Sequence, residues 1–366
     1  MAEKYRKRIY CEMQFLEECI SRLNCSQFGL ENLCELQLWK NILNLILGNY
    51  VKLHLNISKE RFLELTDNAI KNSRGSKNKE SSGNIKSIED LYIEIDNRRQ
   101  GCGTLHLKCD QYETLATFDF NSDNTAANSI FFTCEDDEVC NEITEKYGVL
   151  AISPKNIKRY AHALYDNGDA LEKKEESNWQ NLLKNKMLPC NCLTIVDNYI
   201  LNDTEQMEEN LTKIFNSILP QSLEIPFQIN IITALKRDKR MDLPSEARFD
   251  KLEQIAKKLR PNLNFKITIC KCPSDRFHDR SIVTNSTLVI CGGGFDLFKK
   301  GKTQKQTTVN IAIPYLNNST TWINKAFSII VSDIQKVHEE LKTIPFTKDC
   351  FPTFYLGAHE NRIFES

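Results

Sequence analysis

Two periodicities of hydrophobic positions recur in the second half of the chain. Short apolar runs, typical of buried strands, are separated by longer stretches with apolar residues three or four positions apart, typical of amphipathic helices. Alternation of strands and helices favours a sheet with helices layered against it. The sequence therefore predicts an α/β fold for this half, with strands at 193–196, 227–233, 265–270, 288–291 and 309–313 and helices at 205–219, 249–259 and 322–341.

The first half shows the same two patterns less regularly. Strands are predicted at 8–11, 51–57, 130–133 and 149–152, and helices at 14–23, 33–47, 59–70 and 138–147. Polar stretches divide the chain, because segments with few apolar side chains cannot form a core. We therefore expect an N-terminal α/β domain at 1–167 with a mobile loop at 71–87, a charged linker helix at 168–187, and a second domain at 188–366.

Charge and cysteine usage narrow the classes of function. The formal net charge is −1, so the chain as a whole attracts neither nucleic acid nor an anionic membrane, and such binding needs a local patch. The pairs Cys190/Cys192 and Cys270/Cys272 lack the spacing of a zinc site. Scattered cysteines favour free thiols in a reducing cytoplasm. The sequence contains neither a signal-length nor a membrane-length apolar run, so no transmembrane segment is expected.

The most informative stretch begins at His278. On a strand, His278 and Arg280 would project to the same side, because side chains at i and i+2 share a face. Asn285 follows where that strand should end, and a second short strand leads into a glycine turn. Glycines allow backbone N–H groups to approach an anion closely. The turn consists of Gly292, Gly293 and Gly294. This arrangement predicts a site that handles phosphate.

Further candidate ligand contacts follow predicted strands. Ligands of α/β sheets collect near strand ends, so Asp197, after the strand at 193–196, is a candidate neighbour of His278. Basic residues hold phosphate backbones without base-specific contacts, and two basic clusters also come directly after strands. One cluster contains Lys236, Arg237, Lys239 and Arg240, and the other contains Lys299, Lys300, Lys302 and Lys305. The alternative is that these clusters are solvated loops.

A family resemblance is carried by Phe277-His278-Asp279-Arg280 and by the run from Gly292 to Phe298. These residues resemble the phospholipase D-like superfamily, and most closely the phospholipase D-like domain at the C-terminus of MIT-domain proteins, over about 188–345. The resemblance implies a nucleophilic histidine, a phosphate-binding lysine and a tuning aspartate. Here the candidate catalytic residues are His278, Arg280 in place of the lysine, and Asn285 in place of the aspartate. No second motif is present, so an active site would need a homodimer.

A second resemblance concerns the first half. The order strand, acidic turn, helix, Gly148, strand and Ser-Pro over 130–154 resembles the end of a PIN nuclease domain. Such a resemblance implies carboxylates that hold Mg²⁺ or Mn²⁺ for phosphodiester hydrolysis. The matching positions are Glu12, Glu64 and Asp136, completed by Asp123 or Asp110.

The sequence therefore favours a two-domain protein that binds an anion, a phosphate group or a partner. The expected partner is nucleic acid or a protein complex, as in a bacterial defence-type system that targets nucleic acid. One alternative is a metal-dependent PIN-like nuclease acting on RNA or DNA. Another is a histidine-dependent phosphodiesterase that acts as a dimer. Peripheral binding to an anionic membrane also stays open.

Overall fold

A computed structural model of the chain describes residues 6–25, 33–48, 51–74, 85–101, 105–112, 114–164, 169–172, 177–234, 245–272, 276–277, 280–314, 320–342, 354–358 and 360–364. Over these residues the protein is a mixed α/β structure built on two large sheets, which confirms the predicted fold class. No helix in these ranges combines the length and apolar character needed to cross a membrane.

The N-terminal sheet has five parallel strands: β1 (Lys7–Glu12), β2 (Val51–Asn56), β3 (His106–Cys109), β4 (Ile130–Phe132) and β5 (Leu150–Ile152). Their order in the sheet is β3-β2-β1-β4-β5. Ile9 in the central strand pairs with Leu53 on one side and Ile130 on the other. The strand order reverses direction at β1, as in doubly wound folds, and ligands of such sheets bind beyond the carboxyl ends of the strands.

Helices cover the two faces of this sheet unequally. The helices are α1 (Met13–Asn24), α2 (Leu33–Ile46), α3 (Lys59–Arg74), α4 (Ile88–Gln100), α5 (Asn124–Ala127) and α6 (Asp137–Tyr147), with 3₁₀ helices at Leu115–Thr117 and Ile157–Leu164. Buried residues of α1 to α4 pack with Ile9 and Leu53 on one face. On the other face, Phe131 packs with residues of the first 3₁₀ helix, α5 and α6.

The C-terminal sheet has eight strands in the order β15-β9-β8-β7-β10-β11-β14-β6. β7, β8 and β9 are parallel to one another, and the other pairings are antiparallel. The strands are β6 (Asp169–Leu171), β7 (Cys192–Val196), β8 (Phe227–Thr233), β9 (Phe265–Lys271), β10 (Ser281–Thr284), β11 (Leu288–Cys291), β14 (Thr307–Ala312) and β15 (Phe354–Gly357). A separate hairpin, β12 (Phe298–Lys299) and β13 (Lys302–Thr303), lies between β11 and β14.

Helices cover both faces of the C-terminal sheet. They are α7 (Trp179–Leu183), α8 (Thr204–Ile218), α9 (Ser245–Leu259) and α10 (Thr320–Lys342), with a final 3₁₀ helix at Arg362–Phe364. Buried residues of α7, α8 and α9 pack against Ile195 and Ile231 on one face. Phe327 and Val331 of α10 join the cluster that contains Val196 and Val283 on the other. The amphipathic spacing that predicted three of these helices therefore matches their buried sides.

Two predicted connecting segments differ from the structure. The segment 168–187 was expected as a linker helix, but it contains β6, which pairs with β14, and the short α7. Trp179 is fully buried and its indole N–H donates to the carbonyl of Phe295 at 3.0 Å, so this segment is part of the C-terminal core. In the predicted loop 71–87, α3 continues to Arg74 and Ser87 caps α4 in a capping box. Residues 75–84 lie outside the described residues.

The two sheets meet at the amino ends of their strands. The Lys7 Nζ at the start of β1 donates to the Asn128 Oδ1 at 2.8 Å, and the Asn191 side-chain amide before β7 donates to the carbonyls of Ala127 and Tyr147, both at 2.7 Å. Gly148 has φ +63°, and a Cβ there would collide with the Cys190 carbonyl. The carboxyl ends of β1 and β7 therefore point away from the contact between the two sheets.

Candidate functional site

Arg280 lies next to Asp197 at the carboxyl end of β7. β10 runs antiparallel to β7 and Ser281 pairs with Val196, so the residue before β10 comes beside the residue after β7. The half-buried guanidinium is held by its Nη1, which donates to the Gly292 carbonyl at 2.6 Å. Its Cζ lies 5.4 Å from the centre of the Tyr199 ring, within the range of a cation–π contact. The cation is thus fixed at the edge of the sheet.

The glycine turn allows three charged side chains to converge. Gly294 has φ +90°, and a Cβ built there would lie 2.9 Å from the Asp197 Oδ2, 3.0 Å from the Arg280 Cδ and 3.0 Å from the Asp296 Oδ1. A side chain at this position would therefore push apart the groups that meet around it, besides being strained in the left-handed region. Glycine is required here because of this close approach.

Asp197 is a buried carboxylate that organises the turn. It accepts hydrogen bonds from the backbone N–H groups of Tyr199 at 2.6 Å, Ile200 at 3.0 Å and Phe295 at 2.5 Å. Burial raises the pKa of Asp197 to about 6, while the N–H groups of Phe295 and Tyr199 and the charge of Arg280 oppose that rise. At neutral pH the carboxyl group is mostly ionised, so it balances the charge of Arg280.

Two polar atoms at this turn are buried without a hydrogen-bond partner among the described residues: the Arg280 Nε and the Asp296 Oδ1. Lys305 approaches the same turn, because its Nζ donates to the Gly293 carbonyl at 2.9 Å and lies 3.7 Å from the Asp296 Oδ1. The site therefore holds two cations, Arg280 and Lys305, above two carboxylates.

The predicted lysines lie further out on the β12–β13 hairpin. The backbone N–H groups of Lys300 and Gly301 donate to the Glu209 carboxylate of α8 at 2.8 and 2.7 Å. The Lys299 Nζ is 3.9 Å from the Asp203 Oδ2, and Lys302 is exposed. The hairpin that carries these lysines is therefore fixed against α8, whereas the Lys305 side chain contacts the glycine turn.

Asn285 lies at the opposite end of β10 from Arg280, so the structure does not bring these two predicted catalytic residues together. Its side-chain oxygen accepts from the backbone N–H groups of Asn191 at 2.9 Å and Cys192 at 3.2 Å. Its side-chain amide donates to the Asn128 Oδ1 at 3.2 Å. The amide therefore serves the contact between the domains. His278, Lys236 and Arg237 lie outside the described residues.

Each carboxylate predicted to hold a metal ion has a different hydrogen-bond or ion-pair partner in the structure. Glu12 accepts from the Thr133 hydroxyl and the Cys134 N–H, both at 2.7 Å. The other candidates are engaged elsewhere: Glu64 pairs with Arg61, Asp136 pairs with Lys155, Asp123 caps α5, and Asp110 accepts a hydrogen bond from His54. Within the described ranges, no group of three His, Cys, Asp or Glu side chains suits a metal ion. The Mg²⁺ or Mn²⁺ site stays a prediction from the sequence.

In the C-terminal sheet, the parallel strands β7, β8 and β9 are followed by β10, which runs antiparallel to β7. Arg280 and the glycine turn lie at the carboxyl end of β7. These features define an α/β domain with a candidate binding site at one end of its parallel strands. Residues 177–320 match the family described as the phospholipase D-like domain at the C-terminus of MIT. The chain therefore contains a phospholipase D-like domain, which confirms the predicted resemblance. No curated protein matches the chain. The family match does not include the N-terminal sheet. The resemblance of residues 130–154 to a PIN nuclease domain stays a prediction.

Sequence reasoning missed two members of this site. Tyr199 and Asp296 received no role, although Asp296 lies two residues after Gly294 and could have been suspected from that position. Lys305 was seen only as one of a run of lysines. Tyr199 gave no local signal, because its contact with Arg280 arises from the pairing of β7 with β10.

Proposed function

We propose that the phospholipase D-like domain binds a phosphate-bearing ligand at the carboxyl end of β7, with Arg280 as the main cation and Lys305 as the second. The observation that carries the proposal is the anchoring of Arg280 by Gly292 and Tyr199 while its side chain stays partly exposed. An arginine held in this way loses little side-chain entropy on binding, and its planar guanidinium suits phosphate oxygens.

The surrounding charges support binding of one anionic group. Asp197 lies behind Arg280 and is occupied by three backbone N–H groups, so it orients the cation without competing for the ligand from the solvent side. The carbonyl groups of Gly292 and Gly293 accept hydrogen bonds from Arg280 and Lys305, so the glycine turn positions both cations for one anionic group. The proposal concerns binding and not turnover, because Asn285 lies away from Arg280.

The experiment is isothermal titration of the protein with pyrophosphate. Charge-assisted hydrogen bonds contribute about 1.5–3 kcal/mol each, so we expect Arg280→Ala to weaken binding by at least about tenfold. Arg280→Lys should retain part of the affinity. Arg276→Ala is the matched control, because Arg276 pairs with Glu340 at the surface. Equal affinity of Arg280→Ala and the wild type would reject this surface as the phosphate site.

A further inference from the structure

The N-terminal sheet carries basic side chains on one face of three adjacent strands. Side chains two residues apart share a face of a strand, and the register places Arg8 of β1 next to Lys52 of β2, and Lys52 next to His106 of β3. Two residues further towards the carboxyl ends of the strands, the register places His54 of β2 between Tyr10 of β1 and Lys108 of β3. We call the set Arg8, Lys52, His54, His106 and Lys108 the basic face.

This face is the less covered side of the sheet. The alternating residues Ile9, Leu53 and Leu107 point to the opposite side, where they pack with the core under α1 to α4. In the described part of the chain, the 3₁₀ helix at Leu115–Thr117, α5 and α6 pack on the side of the basic face around Tyr10, β4 and β5. His106 and Lys108 are exposed, and Arg8 and Lys52 are half-buried. Parallel sheets are ordinarily covered on both faces, so an exposed, charged part of one is a candidate interaction surface.

Charge is graded along the strands of this face. Burial lowers the pKa of His54 to about 4, against the opposing hydrogen bond with Asp110, and the charges of Arg8 and Lys108 add to the lowering. The ring is therefore neutral, and the positive charge comes from the arginine and the lysines. Asp110 directly follows β3 at the carboxyl end of the face, where it accepts a hydrogen bond from the His54 Nδ1 at 2.6 Å. The carboxylate of Asp123 is occupied in capping α5. The amino-end part of the face is therefore the positive part.

We propose that the basic face binds the backbone of single-stranded nucleic acid. Neighbouring strands lie about 4.8 Å apart and successive side chains on one face about 6.6 Å apart, so the cations of β1, β2 and β3 span about 10 Å. A row of cations of this length can contact neighbouring phosphate groups of one strand.

Aromatic rings at the border of the face favour nucleic acid over an acidic peptide. The half-buried Tyr112 and Phe118 contact the Tyr10 ring, with centroids 5.9 and 4.8 Å apart. Bases stack on such rings while basic side chains hold the backbone, a combination common to sheet surfaces that bind single strands. A net charge of only −1 for the chain does not oppose local binding of this kind.

The test is a fluorescence-anisotropy titration with a labelled oligouridylate of about 16 nucleotides at several salt concentrations. For single strands, each phosphate contact contributes about 0.7 to the slope of log affinity against log salt. Lys108→Gln and Lys52→Gln should each reduce that slope by about 0.7. Lys40→Gln, on the exposed side of α2, is the matched control and should leave it unchanged. Thermal unfolding of each variant checks that it is folded.

The outcomes separate this site from the phosphate site of the other domain. Arg280→Ala should bind the oligonucleotide as the wild type does, while Lys108→Gln should bind pyrophosphate as the wild type does. Unchanged slopes in both lysine variants would overturn the proposal. Tighter binding of a duplex of equal length, or displacement of the oligonucleotide by polyglutamate at a lower concentration than by unlabelled oligouridylate, would overturn it as well.

Discussion

The Nζ of Lys7 donates a hydrogen bond to the main-chain carbonyl of Asn285 at 2.7 Å, although the two residues are 278 positions apart. Lys7 begins the central strand of the N-terminal sheet, and Asn285 follows β10 of the phospholipase D-like domain. Both are buried. A buried amine and amides from both domains form one polar network, and such networks stabilise only when all of their members are paired.

Replacement of Asn285 by alanine separates a structural role from a catalytic one. The substitution leaves the buried N–H groups of Asn191 and Cys192 without their acceptor, at about 1–3 kcal/mol each. We expect Asn285→Ala to reduce the free energy of unfolding by about 2–4 kcal/mol in urea titrations. Pyrophosphate affinity of the folded variant should equal that of the wild type. A stable variant that has lost phosphate binding would contradict this assignment.

The stability contribution of Lys7 depends on pH. Burial lowers its pKa from 10.5 to about 7, so between these values the unfolded chain binds a proton that the folded chain does not. Stability therefore rises with pH across this window and falls as pH drops towards 7. Between pH 6 and 8 the wild type should gain about 1.4 kcal/mol relative to Lys7→Met.

Urea unfolding of both proteins at the two pH values measures this difference. The buried cysteines have raised pKa values and act in the opposite sense at alkaline pH, but they are common to both proteins and cancel. An identical pH dependence in the wild type and Lys7→Met would show that the amine keeps an ordinary pKa.

Two glycines with positive φ provide a matched pair at the phosphate site. Gly294→Ala adds a Cβ against Asp197 and Arg280, whereas Gly301→Ala, at φ +70°, meets nothing within 4 Å. Each should lose about 1–2 kcal/mol of stability from backbone strain. We expect only Gly294→Ala to weaken pyrophosphate binding in titration calorimetry. Equal binding by both variants would mean that the convergence of charges around Gly294 does not matter for the ligand.

Protonation of Asp197 should strengthen anion binding. Its pKa is raised to about 6, so the carboxylate loses its charge in the folded protein as pH falls from 7 to 5, and Arg280 loses a counter-charge. Sulfate, which stays a dianion in this range, should bind more tightly at pH 5 than at pH 7. Asp197→Asn keeps an acceptor for the turn and should remove most of this difference. The same pH dependence in Asp197→Asn would assign the effect to another group.

The sequence predicted an element accurately where the residues that stabilise it are close together in the chain. β8 matched its prediction at both ends because four of its seven residues are apolar, in the order FQINIIT, and this gives a local apolar run. β3 was not predicted, since His106 and Lys108 are exposed and its sequence lacks such a run. Trp179 was assigned to a linker because its partner, Phe295, is far along the chain.

The same distinction holds for the site. Arg280 and the glycine turn belong to one contiguous motif, so the sequence could predict that they lie together, as they do in the structure. The partners of Asn285 come from β7 and from the other domain, and no pattern around residue 285 specifies them. The metal-ligand prediction, which stays untested, relied on acidic residues after strands, and the partners of Glu12 and Asp136 are ones that only the folded chain supplies.

The guanidinium signal of Arg280 in ¹⁵N NMR spectra, assigned by its absence in Arg280→Lys, tests the central claim most directly. Addition of pyrophosphate should shift this signal, with the same dissociation constant as that obtained by calorimetry. A signal that stays in place while pyrophosphate saturates the protein would show that the ligand binds elsewhere.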